Sequence, residues 1–319
     1  MQDLTFKTRA ELWLAGWFQR FYRWRARPLE EIAPQRFAAY ETGSPEERSD
    51  RPPAGEIPSV IWAYWNGAQP PLLIQRCFEN WRRFNPDFRI CILNDETLPQ
   101  YLPEVAAHLG RIPVAKRSDW IRLELLYRHG GIWLDASTIL TESLEWVGRR
   151  QLEAGADFVG YYLEQYTTRT TSPVVESWFM AAPAGSAFIG DALREFVAAA
   201  IPRSGAEYVA YLRERGSYDQ LRQNIDIPEY LSIHLAMQVV LQGGGRYRLC
   251  LGKAEDGPYA LHVLGKWGRT PLKIRLFFSR VRGELPSLIK LRSPDRKRLD
   301  QYLLRQLYVK DSIADRFLR

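Results

Sequence analysis

Apolar positions along the chain fall into short unbroken runs separated by longer stretches with helical spacing. The run Val60-Ile61-Trp62-Ala63-Tyr64-Trp65 closes on Asn66-Gly67, and a short apolar run bounded by turn formers predicts a buried strand. Pro70-Pro71 then stands where a helix opens, with Ile74, Phe78 and Trp81 on its apolar face. Phe88 to Leu93 predicts a second strand, and Asn94-Asp95 can cap the helix after it. Another helix opens near Ser118 and stops at Gly130-Gly131, because glycine takes a left-handed conformation without steric penalty. It hands on to the strand Ile132-Trp133-Leu134. Phe158 to Tyr162 and Pro173 to Ala182 predict further strands, with a polar surface loop from Leu163 to Ser172 between them. Helices are predicted over 187–200, 208–221 and 229–241; the lone His234 on the last is read as structural. Alternation of this kind predicts an α/β fold with a mixed, mainly parallel sheet and right-handed crossovers.

The ends differ from the middle. On a helix, the run ELWLAGWFQRFYRWRAR places Trp13, Trp17, Phe21 and Trp24 along one stripe and Glu11, Gln19, Arg23 and Arg27 along another. Residues 28–58 are rich in turn formers and charge and predict a linker. From Thr270 the chain is basic and largely helical by pattern, either a membrane-surface arm or a lid on the preceding domain. The expected organisation is therefore an amphipathic basic helix and linker over 1–54, an α/β domain over 55–268 and a basic helical extension over 269–319.

With 319 residues, 46% of them hydrophobic and 25% charged, the chain can bury a substantial core. It has no run of about 18 uninterrupted apolar residues, so no spanning helix is expected. Neither is a signal peptide, since Leu12 to Phe18 is short and is followed by arginines. Cys77, Cys91 and Cys250 are too scattered for a disulfide framework or a metal site, and a cytoplasmic compartment is the expectation. The formal charge is +7 overall, with 14 Lys/Arg against 5 Asp/Glu in residues 269–319 and 7 against 4 in residues 1–36. The middle is thus net acidic, which argues against a nucleic-acid partner. Tryptophan with arginine on an amphipathic helix favours instead an anionic membrane surface, peripherally on the inner face of the cell membrane. The alternative is a helix that simply caps the core.

Candidate chemistry concentrates in SDWIRLELLYRHGGIWLDAST, residues 118–138. Asp119 and Arg122 lie three apart, on one helical face, where one can accept from sugar hydroxyls and the other can pair with an anion. Asp135 is delivered to the carboxyl end of a strand, where α/β sheets place ligands. A carboxylate there, followed by the hydroxyls of Ser137 and Thr138, suits a hard divalent cation that itself holds a diphosphate. Glu176 interrupts an apolar strand, and a carboxylate in such a run either faces a cleft or is a paired structural group. In Ala260 to Gly268, His262 offers a nitrogen to a transition metal and Lys266 a charge to phosphate.

The pattern SDxxRxxxLYxxGGIWLD resembles the metal-and-nucleotide segment of GT-A-type glycosyltransferases of the DXD sugar-binding and capsular polysaccharide synthesis families. The segment IPSVIWAYWNGAQPP is similar to the first strand of the same family. That resemblance implies a GT-A-like fold and a hexosyltransferase moving sugar from a nucleotide-sugar donor, a UDP-sugar, to a saccharide or lipid-linked saccharide acceptor in capsular or other surface polysaccharide synthesis. It implies that Asp119 and Arg122 hold the ribose and the nucleotide sugar and that Trp65 packs on the base. It also implies that His262, Lys266 and Trp267 close over a metal diphosphate. The expected metal, Mn²⁺ or Mg²⁺, would sit on Asp135, Ser137 and His262, although the second carboxylate of the D-x-D is absent from Asp135-Ala136-Ser137. Retention of anomeric configuration is expected, with Glu176 as the base should the reaction invert. The alternative is a nucleotide-sugar or polyanion binding protein without catalysis.

Overall fold

The computed structural model describes residues 5–42, 55–67 and 69–319. Among them, β1 (Phe37–Glu41), β2 (Val60–Tyr64), β3 (Arg89–Leu93), β4 (Gly131–Leu134), β6 (Phe158–Tyr162), β7 (Val175–Ala182) and β8 (Arg248–Lys253) form one sheet in the order β1-β8-β6-β7-β4-β2-β3. Five of these seven strands share a direction, and β1 and β7 oppose them. A separate antiparallel pair joins β5 (Thr138–Leu140) to β9 (Leu288–Lys290). This is the mixed, mainly parallel α/β architecture that the alternation predicts.

The sheet is covered on both sides. From β2, Val60 and Trp62 enter one core and Ile61 and Ala63 the other; from β4, Trp133 joins the first and Ile132 and Leu134 the second. Helices Val114–His129, Ala187–Glu195 and Ser232–Gln242 supply the first core, and helices Leu72–Phe84 and Glu145–Ala154 the second. Double coverage is why these strands read as unbroken apolar runs. Each fully buried ring such as Trp62 or Trp133 contributes roughly 2–3 kcal/mol by leaving water.

The glycine pair fixes how helix Val114–His129 meets β4. Gly130 caps the helix at φ 65° and Gly131 follows at φ 104°, a conformation that L side chains rarely adopt. Space forbids a side chain as well. A Cβ on Gly131 would lie 2.4 Å from Val60 Cγ1 and 2.7 Å from Val60 O, and one on Gly130 would lie 2.6 Å from Ala184 N. Trp62 Nε1 donates to Gly130 O at 2.8 Å and ties the turn to the neighbouring strand.

A third core joins the two ends of the described chain. Leu12 and Ala15 of helix Phe6–Trp24 pack with Leu272, Phe277, Phe278, Tyr302 and Leu303, and with Leu73 and Cys77 of helix Leu72–Phe84. Within the expected linker, residues 37–41 form the edge strand β1, because Phe37 packs on Trp146 and Tyr161; residues 43–54 lie outside the described residues. The segment 260–268 opens with a short helix, Ala260–Leu264, followed by a tight turn with Lys266 and Trp267 at positive φ. The helix predicted over 208–221 is two, Gly205–Glu214 and Tyr218–Arg222, broken at Gly216 with φ 72°.

Candidate active site

The carboxyl ends of β2 and β4 and the amino end of the opposed strand β7 open on one cleft of about 510 Å³. Trp65 follows β2 into it, Asp135 follows β4, Glu176 comes from β7, and Asp119 and Arg122 project from helix Val114–His129. His234 reaches it from helix Ser232–Gln242, and Lys290, Arg292 and Arg296 from the chain at and beyond β9.

Arg122 is the hub. Its Nη2 lies 3.3 Å from Asp119 Oδ1 and 3.5 Å from Asp135 Oδ1, and its guanidinium stacks 4.9 Å over the Trp133 ring. It also donates to the Ser118 carbonyl and hydroxyl and to the Ser177 carbonyl. So many partners make it a brace that sets the spacing of two carboxylates. Asp119 is buried, and burial pushes its carboxyl up to about 6, with Asp135 adding to the rise and Arg122 and His234 opposing it.

Asp135 has the opposite balance. Burial works to raise it, but Lys290 and Arg122, with Trp133 Nε1 donating at 3.1 Å, hold its carboxyl below the usual carboxylate range. Lys290 Nζ sits 2.8 Å from Asp135 Oδ2 and 5.6 Å from the centre of the Trp178 ring. Burial lowers the affinity of that amine for its proton, and Asp135 partly restores it. On the far wall, Glu176 Oε2 lies 3.7 Å from His234 Nε2, both side chains buried. His234, read from the sequence as structural, thus lines the cleft next to a carboxylate.

The expected metal ligands do not converge. His262 is buried away from the cleft, donating from Nε2 to Asp295 Oδ2 at 2.9 Å, with the Tyr259 and Trp267 rings against it. Ser137 donates its hydroxyl to the Leu291 carbonyl at 2.7 Å. Where a cation would meet Asp135, the Lys290 ammonium already does. Among the described residues, no group of three or more His, Cys, Asp and Glu is arranged to hold a metal. A lone, already paired carboxylate is a poor donor set for Mn²⁺ or Mg²⁺, so these residues do not fit the expected ion.

Lys266 is exposed on the turn after helix Ala260–Leu264 and does not line the cleft. Trp267 acts at one remove, because the Arg292 guanidinium stacks 4.9 Å from its ring centre. Asp295 accepts from His262 and from both the backbone and the side chain of Arg292. Burial would raise its carboxyl, yet these bonds bring it down to about 2. His262, Trp267 and Asp295 together fasten the loop that carries Arg292. Beside it, Arg296 Nε is buried without a hydrogen-bond partner among the described residues, an unfilled donor of the kind an anion satisfies.

Lys290, Arg292 and Arg296 were not among the sequence candidates. The available signal was the basic content of residues 269–319, and no spacing rule connects Lys290 to Asp135 across 155 positions.

The family described as "Capsular polysaccharide synthesis protein" matches residues 35–266. The chain is similar to an O-glycosyltransferase, braB, of Annulohypoxylon truncatum, at 28% identity over 40% of this chain and 34% of that protein. It is also similar to the glycosyltransferase afumC of Aspergillus fumigatus, at 30% identity over 27% of this chain and 26% of that protein. The chain thus spans about a third or less of these curated relatives. Among solved structures, the PaToxG glycosyltransferase aligns over 60% of this chain and 79% of its own, at 15% identity and a TM-score of 0.34. The UDP-bound glycosyltransferase domain of the YGT toxin aligns over 82% of each chain, at 8% identity and a TM-score of 0.33.

Proposed function

The chain belongs to the capsular polysaccharide synthesis protein family, and on that premise we propose that it is a glycosyltransferase moving a sugar from a nucleoside-diphosphate sugar, a UDP-sugar, to a saccharide acceptor. The observation that carries this reading is the cleft itself. Two carboxylates spaced by one arginine line it together with three cationic side chains, Lys290 against Asp135 and Arg292 and Arg296 beyond it, around a space large enough for a sugar nucleotide.

In the proposed reaction the bond between the anomeric carbon and the β-phosphate oxygen breaks, and its electron pair leaves with the diphosphate. Charge that develops on that oxygen is met by Lys290, Arg292 and Arg296, fixed donors in a partly desolvated site, the kind of term that dominates such catalysis. Asp119 accepts from the ribose hydroxyls, Asp135 from the donor sugar, and Trp65 stacks on the base, a contact of roughly 1–3 kcal/mol. The acceptor hydroxyl adds to the anomeric carbon and gives its proton to the departing phosphate oxygen, which retains configuration. Glu176, beside His234, orients the acceptor, and Tyr230, exposed on the cleft wall, offers it a ring face.

The test is a thermal-shift panel of nucleotide sugars with and without EDTA, followed by analysis of the product anomer. A matching donor raises Tm in both conditions, since a ligand bound only by the folded state stabilises it by RT ln(1 + [L]/Kd). Turnover that survives chelation is the second expected result. Absence of a shift with every nucleotide sugar overturns the proposal. Binding without transfer or hydrolysis leaves only the binding-protein alternative. An inverted product reassigns Glu176 as the base.

A further inference from the structure

The N-terminal helix Phe6–Trp24 has one face pinned to the protein and the opposite face in solvent. On the pinned face, Leu12 and Ala15 are buried, and Phe18 and Tyr22 lie 5.9 and 6.4 Å from the Phe278 ring. Gln19 Nε2 donates to the Gln306 and Tyr308 carbonyls at 2.6 and 2.8 Å. Glu11, the acidic residue of this helix, is bound there by Lys273 and Arg298. These contacts fix the rotation of the helix about its axis.

That rotation turns Phe6 and the three tryptophans of the aromatic stripe outward, while Phe21 is half-buried and stacks on Trp17. Phe6, Trp13, Trp17 and Trp24 are 81%, 74%, 48% and 84% exposed. At 100° per residue they fall within one narrow sector, about 150° round the helix from Leu12 and Ala15, over a length of about 27 Å. Capping the core, the bland account of this helix, is the work of the other face. Lys7, Arg9, Arg20, Arg23 and Arg25 are also exposed, and none has an acidic partner among the described residues. Tryptophan is the side chain that gains most at the junction of headgroup and acyl chain, and arginine on the flanks pairs with lipid phosphate.

We propose that this helix lies flat on an anionic membrane surface, its tryptophans in the headgroup layer and its arginines on lipid phosphates. The occupant is lipid by charge complementarity: an apolar protein groove would match the rings and leave five cations unanswered. No described helix is long and apolar enough to cross a membrane, so the contact is interfacial. The inference stands apart from the donor chemistry of the cleft, and either survives failure of the other.

The experiment is co-sedimentation of the full chain with phosphatidylcholine vesicles with and without phosphatidylglycerol, at low and high salt, with tryptophan emission read in parallel. Binding is expected only with the anionic lipid, weakened by salt, and accompanied by a blue shift. The triple variant Trp13→Ser, Trp17→Ser, Trp24→Ser should lose at least about tenfold in vesicle affinity with little change in its melting curve, because Trp13 and Trp24 are largely exposed and Trp17 meets only the Phe18 and Phe21 rings of its own helix. A second variant, Arg9→Glu with Arg20→Glu, keeps every tryptophan and should lose binding to a similar degree. The proposal is overturned if wild-type protein ignores anionic vesicles. It is likewise overturned if the tryptophan variant binds undiminished, or if the rings become protected in a lipid-free dimer.

Discussion

Two segments of this chain carry similar chemistry and meet opposite fates. Asp135, after the twin glycines, projects into the cleft. His262, in the motif Ala260 to Gly268, turns into the interior and spends its nitrogen on Asp295. What separates them is backbone constraint. Gly130 and Gly131 leave the chain one path from helix to strand, and that path ends at the carboxyl edge of a sheet. The residues around His262 are compatible with a strand, a loop or a helix turn, and packing against Tyr259 and Trp267 chose the last.

The contrast is broken most severely at the glycines. Gly131→Ala must place a methyl 2.4 Å from Val60 Cγ1 at φ 104°. We expect a loss of about 3 kcal/mol or more, read as a large drop in the denaturation midpoint. Lys290→Met comes next. It keeps the stem volume and leaves Asp135 its contact with Arg122, so the fold should persist while transfer falls by roughly 100-fold or more. That comparison separates charge on the leaving group from structural support.

His262→Ala sharpens the contrast from the other side. A metal ligand would take most of the activity with it. A buried residue that fastens Asp295 should instead cost about 2–4 kcal/mol of stability and less than about tenfold in turnover, unchanged by EDTA. Lys266→Ala, exposed and off the cleft, should change neither by a measurable amount.

The smallest effect is in pH. Asp119 is raised by burial from 3.8 to about 6, so the stability tied to its protonated form is present below about pH 4 and lost as pH rises towards 6. Asp295, held at about 2 by its bonds, does the reverse: its contribution is present above about pH 4 and fades as pH falls towards 2. Asp119→Asn should therefore melt no lower than wild type at neutral pH, with its relative advantage growing between pH 4 and 6. The same variant should lose donor-induced stabilisation, as expected of a carboxylate kept for binding at a cost to the fold.

Much of the sheet was legible because β2, β3, β4, β6 and β7 are apolar runs with clear ends. β5 and β9 are three residues each and carry no periodicity to read. The edge strand β1 alternates weakly and sits inside a polar stretch. In the cleft, Trp65, Asp119, Arg122, Asp135 and Glu176 come from segments whose local pattern fixes where they point. Lys290 and Arg296 arrive through pairing between distant segments, and no local pattern encodes that. The N-terminal helix lies between these cases: its two stripes were visible, but which side meets the protein depended on Leu12, Ala15, Phe18 and Tyr22, which belong to neither stripe.

The pairing of β5 with β9 sets Thr138 opposite Lys290, and its consequence is one of timing. Threading from the ribosome, the chain finishes Asp135 long before it makes the lysine that answers it. An interrupted product would hold the donor-facing half of the cleft with no counter-charge for a departing diphosphate. On the proposed reaction, competence would arrive late in synthesis, with a strand of three residues.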